Sequence, residues 1–164
     1  VSELTNNHRL TLRRSWIGTG GQVNWLMLNP STATDTADDP TIRKCIGFSK
    51  RWGFSRMVVT NLFAFRATDP KDLHVLLATG RYDRAVGAGN DEAIANAANE
   101  SGAVVVAWGA NAGKGLVAMR VRAVMRMFQH PSCIGLTKDG HPPHPCMAGY
   151  TDAPIIFASQ TEAQ

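Results

Sequence analysis

The residues best suited to chemistry are two asparagines, each ending a short apolar run, and a histidine-proline loop nearer the carboxyl end. Val23-Asn24-Trp25-Leu26-Met27-Leu28 stops at Asn29-Pro30-Ser31-Thr32, and Met57-Val58-Val59-Thr60 stops at Asn61-Leu62. Pro30 has no N–H to donate and keeps the residue before it extended, so the Asn29 carboxamide leaves the run at a fixed place. A carboxamide donates and accepts, so Asn61 is suited to reading the polar edge of a ligand. For both residues the alternative is a turn asparagine that bonds its own backbone. The hydroxyls of Ser31 and Thr32 and the cations Arg66 and Lys138 suit phosphate oxygens, with a solvated surface as the plainer alternative. His141, His144 and Cys146 have a spacing that suits a metal. However, Pro142, Pro143 and Pro145 interleave them and no fourth ligand lies nearby, so neither a metal nor a cofactor is expected. Asp39 is explained as a helix cap before Pro40; Asp38 has no such explanation and stands as a candidate general base.

These residues need a scaffold that brings strand ends together. Arg9 to Trp16 alternates as a half-exposed strand, with Leu10 and Leu12 on one face and Arg9, Thr11 and Arg13 on the other. Gly18 to Gly21 supplies a turn, so Leu10 to Leu28 reads as a hairpin or as a strand joined to the first core strand. A helix runs from the Asp39 cap through Ile42, Ile46 and Trp52 to a stop at Gly53. The second buried strand is Met57 to Leu62; Asp69-Pro70 opens a helical segment over Lys71 to Thr79, and Asn90 or Asp91 caps a helix through Ala98. Ala103 to Trp108 forms the third strand and ends at Gly109. A helix from about Leu116 to Phe128 places Val117, Val121, Val124, Met125 and Phe128 on one side and Arg122 and Arg126 opposite. Ser132 to Leu136 is the fourth strand and leads into the His141–Pro145 loop. Buried strands separated by helices imply an α/β fold: a three-layer α/β/α sandwich around a mainly parallel four-stranded sheet, with an N-terminal antiparallel strand or hairpin. Ligands of such sheets bind beyond the carboxyl ends of the strands, where Asn29, Asn61, Trp108-Gly109 and the histidine loop fall.

Composition narrows the class. The 164 residues read as a single domain over 1–164, 44% apolar and 18% charged, as in an ordinary globular protein. No apolar run approaches a membrane span and no signal-peptide pattern opens the chain, so a cytoplasmic protein without a membrane partner is expected. A net charge of +4 permits a polyanionic partner without requiring one. Cys45, Cys133 and Cys146 are too few and too scattered for a disulfide framework. Gly18, Gly20 and Gly21 precede a strand instead of following one, and Gly113-Lys114-Gly115 lacks the phosphate-loop spacing, which disfavours Rossmann and P-loop enzymes. The chain has no Gly-x-Ser-x-Gly elbow, which disfavours a serine hydrolase.

In their order, the motifs resemble the uracil-DNA glycosylase superfamily, and its mismatch-specific and thymine-DNA branch most closely. Met27-Leu28-Asn29-Pro30-Ser31 is similar to the Gly-Ile-Asn-Pro-Gly of that branch. Thr60-Asn61-Leu62-Phe63-Ala64-Phe65-Arg66 and Lys71-Asp72-Leu73 are similar to its Thr-Asn-Met-Val-x-Arg and following Lys-Asp-Leu. Trp108-Gly109-Ala110 matches the end of its third strand, and His141-Pro142-Pro143-His144-Pro145 takes the place of its last His-Pro-Ser loop. The literal His130-Pro131-Ser132 precedes the fourth strand and is a decoy. The whole pattern also looks like a bacterial and phage family of unannotated domains, with Leu-Asn-Pro-Ser-Thr-Ala and Asp-Asp-Pro-Thr, linked to anti-phage glycosylases. The resemblance covers residues 23 to 147.

The resemblance implies a DNA glycosylase that hydrolyses the N-glycosidic bond of a base flipped from double-stranded DNA, leaving an abasic site. Asn29 would orient the water, and His144 or His141 would stabilise the departing base, His144 being slightly favoured. Asn61, Ser31 and Phe63 would hold the base, and Thr32, Arg66, Lys138 and Arg43 the DNA; a monomer is expected. Classical uracil enzymes carry a tyrosine where Ser31 stands, and the stacking aromatic of the mismatch branch falls near Ala37. Both changes would open the pocket to a bulky C5 substituent, such as that of a hydroxymethylated and glucosylated cytosine of phage DNA. The alternatives are a uracil or mismatch repair glycosylase, a non-catalytic nucleic-acid-binding module using the same cleft, and an α/β enzyme acting on free nucleosides.

Overall fold

A computed structural model describes residues 2–5, 7–67 and 70–158. Its strands are β1 (Ser2–Thr5), β2 (His8–Ser15), β3 (Gln22–Met27), β4 (Arg56–Asn61), β5 (Ala103–Val106), β6 (Ser132–Cys133) and β7 (Ile155–Ile156). The helices are α1 (Pro40–Arg51), α2 (Pro70–Ala78), α3 (Tyr82–Val86), α4 (Asn90–Asn99) and α5 (Gly115–Met125), with 3-10 turns at Ala110–Gly113 and Pro145–Met147. The strands form one mixed sheet in the order β1-β2-β4-β3-β5-β6-β7. Neighbours within β4-β3-β5-β6 are parallel, and β2 and β7 join antiparallel at the two sides. The fold is therefore α/β, as expected.

Each sheet face buries its own core. Val23, Trp25, Met27, Met57 and Val59 pack under Ile42, Cys45 and Phe48 of α1, and Trp25 stacks on Trp52 with centroids 5.6 Å apart. Leu26, Leu62 and Val106 pack on the opposite face under Leu73, Leu77, Ile94, Val117 and Val124 from α2, α4 and α5. The connection leaving β3 thus crosses one face while those leaving β4 and β5 cross the other. In open α/β sheets ligands bind beyond the carboxyl ends of the strands where the connections reverse in this way, which here is at β3.

Several expectations are corrected. β2 does not form a hairpin with β3: β4 stands between them, because its buried Met57, Val58 and Val59 need a strand on either flank. β2 instead turns back on β1. The fourth strand is only Ser132–Cys133, since β5 ends at Val106 and offers no ladder partner beyond it. Helix α4 is capped by Gly89 with no side-chain bond, so neither Asn90 nor Asp91 is its cap. The Asp39 cap and the Pro40 start of α1 stand as read, Asp39 accepting from Ile42 N at 2.8 Å. Asp69 lies outside the described residues.

Candidate active site

Strand β3 ends zipped to β4: Leu62 N donates to Met27 O at 2.8 Å and Phe63 N to Leu28 O at 3.0 Å. The chain then departs through Asn29 and the buried Pro30. Asn29 is half-buried, and the only bond its side chain makes among the described residues is a long one, Nδ2 to Pro30 O at 3.4 Å. Asn61 is the register partner of Met27, so it lies on the adjacent strand two positions below Asn29. By strand alternation it shares the face of Met57 and Val59, the face that α1 covers. It is buried, and among the described residues its Oδ1 has no hydrogen-bond partner. A buried acceptor left unmet is costly, and Asn61 shares this state with the carboxamide oxygens of Asn24 and Asn90.

The loop after Asn29 is held from beneath by Arg9 and Asp39. Arg9 is 1% exposed; its guanidinium donates to Ala33 O and, at 3.3 Å, to Ser31 Oγ. Burial, reinforced by the charge of Arg66, lowers its pKa to about 10. Asp39 takes the Ala33 N–H at 3.2 Å besides capping α1. Burial alone would raise the Asp39 pKa. Bonds from the Ile42 N–H, the Ser31 hydroxyl and the Ala33 N–H outweigh it and hold the carboxyl below its ordinary 3.8.

The last loop crosses to this place from β6. Gly109 N donates to Pro142 O at 3.1 Å, and a Cβ at Gly109 (φ +89°) would lie 3.6 Å from His144 Cβ, so the Trp108-Gly109 bend sits against the loop. Thr41 Oγ1 of α1 lies 3.5 Å from Cys146 Sγ. His144 is half-buried; burial lowers its pKa below the ordinary 6.5, with the Asp39 carboxylate opposing. Its Nδ1 accepts from Cys146 N at 3.3 Å. A backbone N–H only donates, so Nδ1 is unprotonated and the neutral ring carries its proton on Nε2. A histidine with a lowered folded pKa contributes stability that is complete above the unfolded value and lost as pH falls through the folded one. The acid midpoint of His144 followed by NMR should accordingly lie below 6.5; a midpoint at or above that value would contradict this environment.

The two histidines part company. His141 lies against the Ala110–Gly113 turn, where a Cβ at Gly113 would meet its Nε2 at 2.6 Å, and lines a cavity of about 220 Å³ with Trp108, Arg122 and Phe157. That is the α5 side; His144 is on the α1 side with Asp39. Ser31, Thr32 and Arg66 share a cavity of about 670 Å³ with Phe65 and Asp72. Other expected residues have different work. Phe63 is fully buried in the core, edge-on to Tyr82, which takes it out of the base-holding set. Asp38 accepts from Arg14 Nε at 2.7 Å, an ion pair that makes it a poor general base. Arg43 is exposed and donates to the Asp38 carbonyl; Lys138 is exposed on a turn closed by Gly140 N to Thr137 O at 2.9 Å. Among the described residues, no group of three or more His, Cys, Asp or Glu is gathered that could hold a metal, and no helix is long and apolar enough to cross a membrane.

Sequence reasoning missed Arg9, Asn90 and Arg120, all buried: Arg9 bonds the loop after Asn29, and Asn90 and Arg120 bond the end of β4. Arg120 was legible: it stands three residues after Val117 and four before Val124, within the apolar stripe of α5.

No curated protein and no solved structure matches the chain. A family model does, over residues 9–146, a span that opens on Arg9 and closes just past His144. The chain therefore belongs to the family described as "Protein of unknown function (DUF1643)".

Proposed function

We propose that the chain is a DNA glycosylase of the uracil-DNA glycosylase type, with the three-layer sandwich of that fold, acting on a C5-modified pyrimidine turned out of duplex DNA. The observation that supports the reading is a set of polar groups at the strand ends and the last loop, toward α1, each with bonding capacity left over. Asn29 leaves β3 there almost free of bonds, Asn61 keeps an unmet carboxamide oxygen, and His144 offers an Nε2–H from a neutral ring.

The reaction these groups suit is dissociative. The C1′–N bond breaks with its electron pair going to the base, and a water oxygen bonds C1′ and loses a proton to solvent. The base takes a proton to leave neutral. A carboxamide is no base, so Asn29 orients the water. The departing negative charge is met by the His144 Nε2–H, a fixed donor in a partly desolvated place. Asn61 accepts from an N–H of the base edge. Arg66 and the Thr32 hydroxyl, which share the cavity beside Ser31, take backbone phosphates. Ser31 is small and its hydroxyl is drawn back to Arg9 and Asp39, leaving room beside a pyrimidine C5.

The test is incubation with duplexes carrying uracil, a thymine mismatch, hydroxymethylcytosine or its glucosylated form, read as alkali-labile abasic sites. Sites at the modified cytosines are expected. Product from uracil alone would overturn the substrate assignment. Binding without any product, unaltered in Asn29→Ala, would overturn the enzyme and leave a binding module.

A further inference from the structure

Strand β4 ends in a main chain held on both sides. On one side its N–H groups at 62 and 63 are taken by β3, at 2.8 and 3.0 Å. On the other, the carbonyls of 61 and 62 pass beyond the sheet ladder and would be orphaned in the interior, at the cost of buried unpaired acceptors. Two helices supply the donors. Asn90 Nδ2, from the first turn of α4, donates to Asn61 O at 3.0 Å and to Leu62 O at 3.2 Å. Arg120 Nε, from the middle of α5, donates to Leu62 O at 2.7 Å. Both side chains are buried, at 1% and 3% exposure. The Arg120 guanidinium is steadied in turn by an ion pair with Asp91.

A helix rarely places an arginine in the interior. Charged groups of this size stay out of interiors unless paired and hydrogen-bonded, and a hydrophobic side chain in the Val117–Val124 stripe would pack with less desolvation. What distinguishes this strand end is the contrast within one residue. The Asn61 carbonyl is met by Asn90 and the peptides just after it are bonded from β3, α4 and α5, while among the described residues its carboxamide oxygen has no partner. We infer that Asn90 and Arg120 are positioning residues, which clamp the 61–62 peptides so that the Asn61 carboxamide is held for an N–H donor of the ligand. The ligand class rests on the glycosylase reading above; the clamp itself does not.

The experiment uses the whole chain with ¹⁵N-labelled asparagine. In the wild-type protein the Asn61 side-chain amide should give a single sharp pair of signals. In Arg120→Met, and more mildly in Asp91→Asn, that pair should broaden or double and its solvent exchange quicken by about 10-fold or more, as local opening replaces a fixed geometry. The Trp25 indole signal, on the opposite core and bonded to Ser49, should not move. Asp91→Asn is the safeguard should the methionine variant fail to fold, because it keeps the guanidinium in place and loosens only its exposed partner. On a duplex carrying glucosylated hydroxymethylcytosine, both variants should lose excision rate by about 10- to 100-fold, the usual result of a small misplacement, with duplex affinity little changed. An unchanged Asn61 side-chain signal in a folded variant would overturn the clamp. If the wild-type protein excises nothing, the glycosylase reading fails and the side-chain signal alone decides the clamp.

Discussion

Asn29→Ala is expected to slow the proposed base release by about 10²–10³-fold, the loss usual for one preorganised polar group at a reacting centre. Its stability should stay within about 0.5 kcal/mol of wild type. The two halves of this expectation have one cause. Asn29 is half-buried and, among the described residues, its carboxamide makes only the long contact to Pro30 O, so little folding energy resides in it. Pro30 is untouched by the change and continues to set the exit from β3. Asn29→Asp refines the result, since a carboxylate of the same shape can take the proton that an amide cannot. If the residue orients water, the aspartate variant should lose less than the alanine variant; if it binds the base, the new charge should make it lose at least as much. Single-turnover kinetics on a modified duplex measure both. An unchanged rate in Asn29→Ala would remove the residue from the chemistry.

What could be read from sequence here was what local physics decides. Pro30 and the apolar run before it place Asn29; Asp39-Pro40 starts α1; and buried strands separated by helices give the α/β class, though the sheet is mixed. Where the reading failed, the deciding partner was distant in sequence. Arg9 sits on what alternation marks as the polar face of β2, yet it is buried because the loop at 31–39 folds over it. Asn90 looked like a cap and is instead drawn inward by carbonyls that β4 strands at its end. The periodicity of α4 carried the hint, since Asn90, Ile94 and Ala97 share one stripe. The choice between His141 and His144 was likewise beyond local reasoning. Prolines rigidify both, and only the crossing of the loop from β6 to α1 puts one ring beside Asp39 and the other beside Gly113.

The larger stability effect belongs to Asp39, where three duties meet in one carboxylate. It caps α1 through Ile42 N, it takes the Ala33 N–H, and it supplies the counter-charge that Arg9 and His144 feel. Asp39→Ala removes the cap, leaves a loop donor unmet and strips compensation from a buried guanidinium. Together these should cost about 2–4 kcal/mol, with urea unfolding as the measurement. Asp39→Asn keeps a capping oxygen and should cost about 1 kcal/mol, the part that belongs to charge. Arg9→Met in the Asp39→Ala background should cost less than in the wild type, because the charge then removed has already lost its compensation. Additive losses would mean that the two side chains do not communicate. The pH dependence has a definite sign: the Asp39 carboxyl is held below 3.8, so its contribution is complete above that value and is lost as pH falls through the folded pKa. Activity should fail earlier than the fold. Ser31 and Ala33 are bonded to Asp39 and Arg9, and they stand two and four residues after Asn29 in the chain. Loosening them should therefore cost Asp39→Asn excision rate at temperatures where it is still folded.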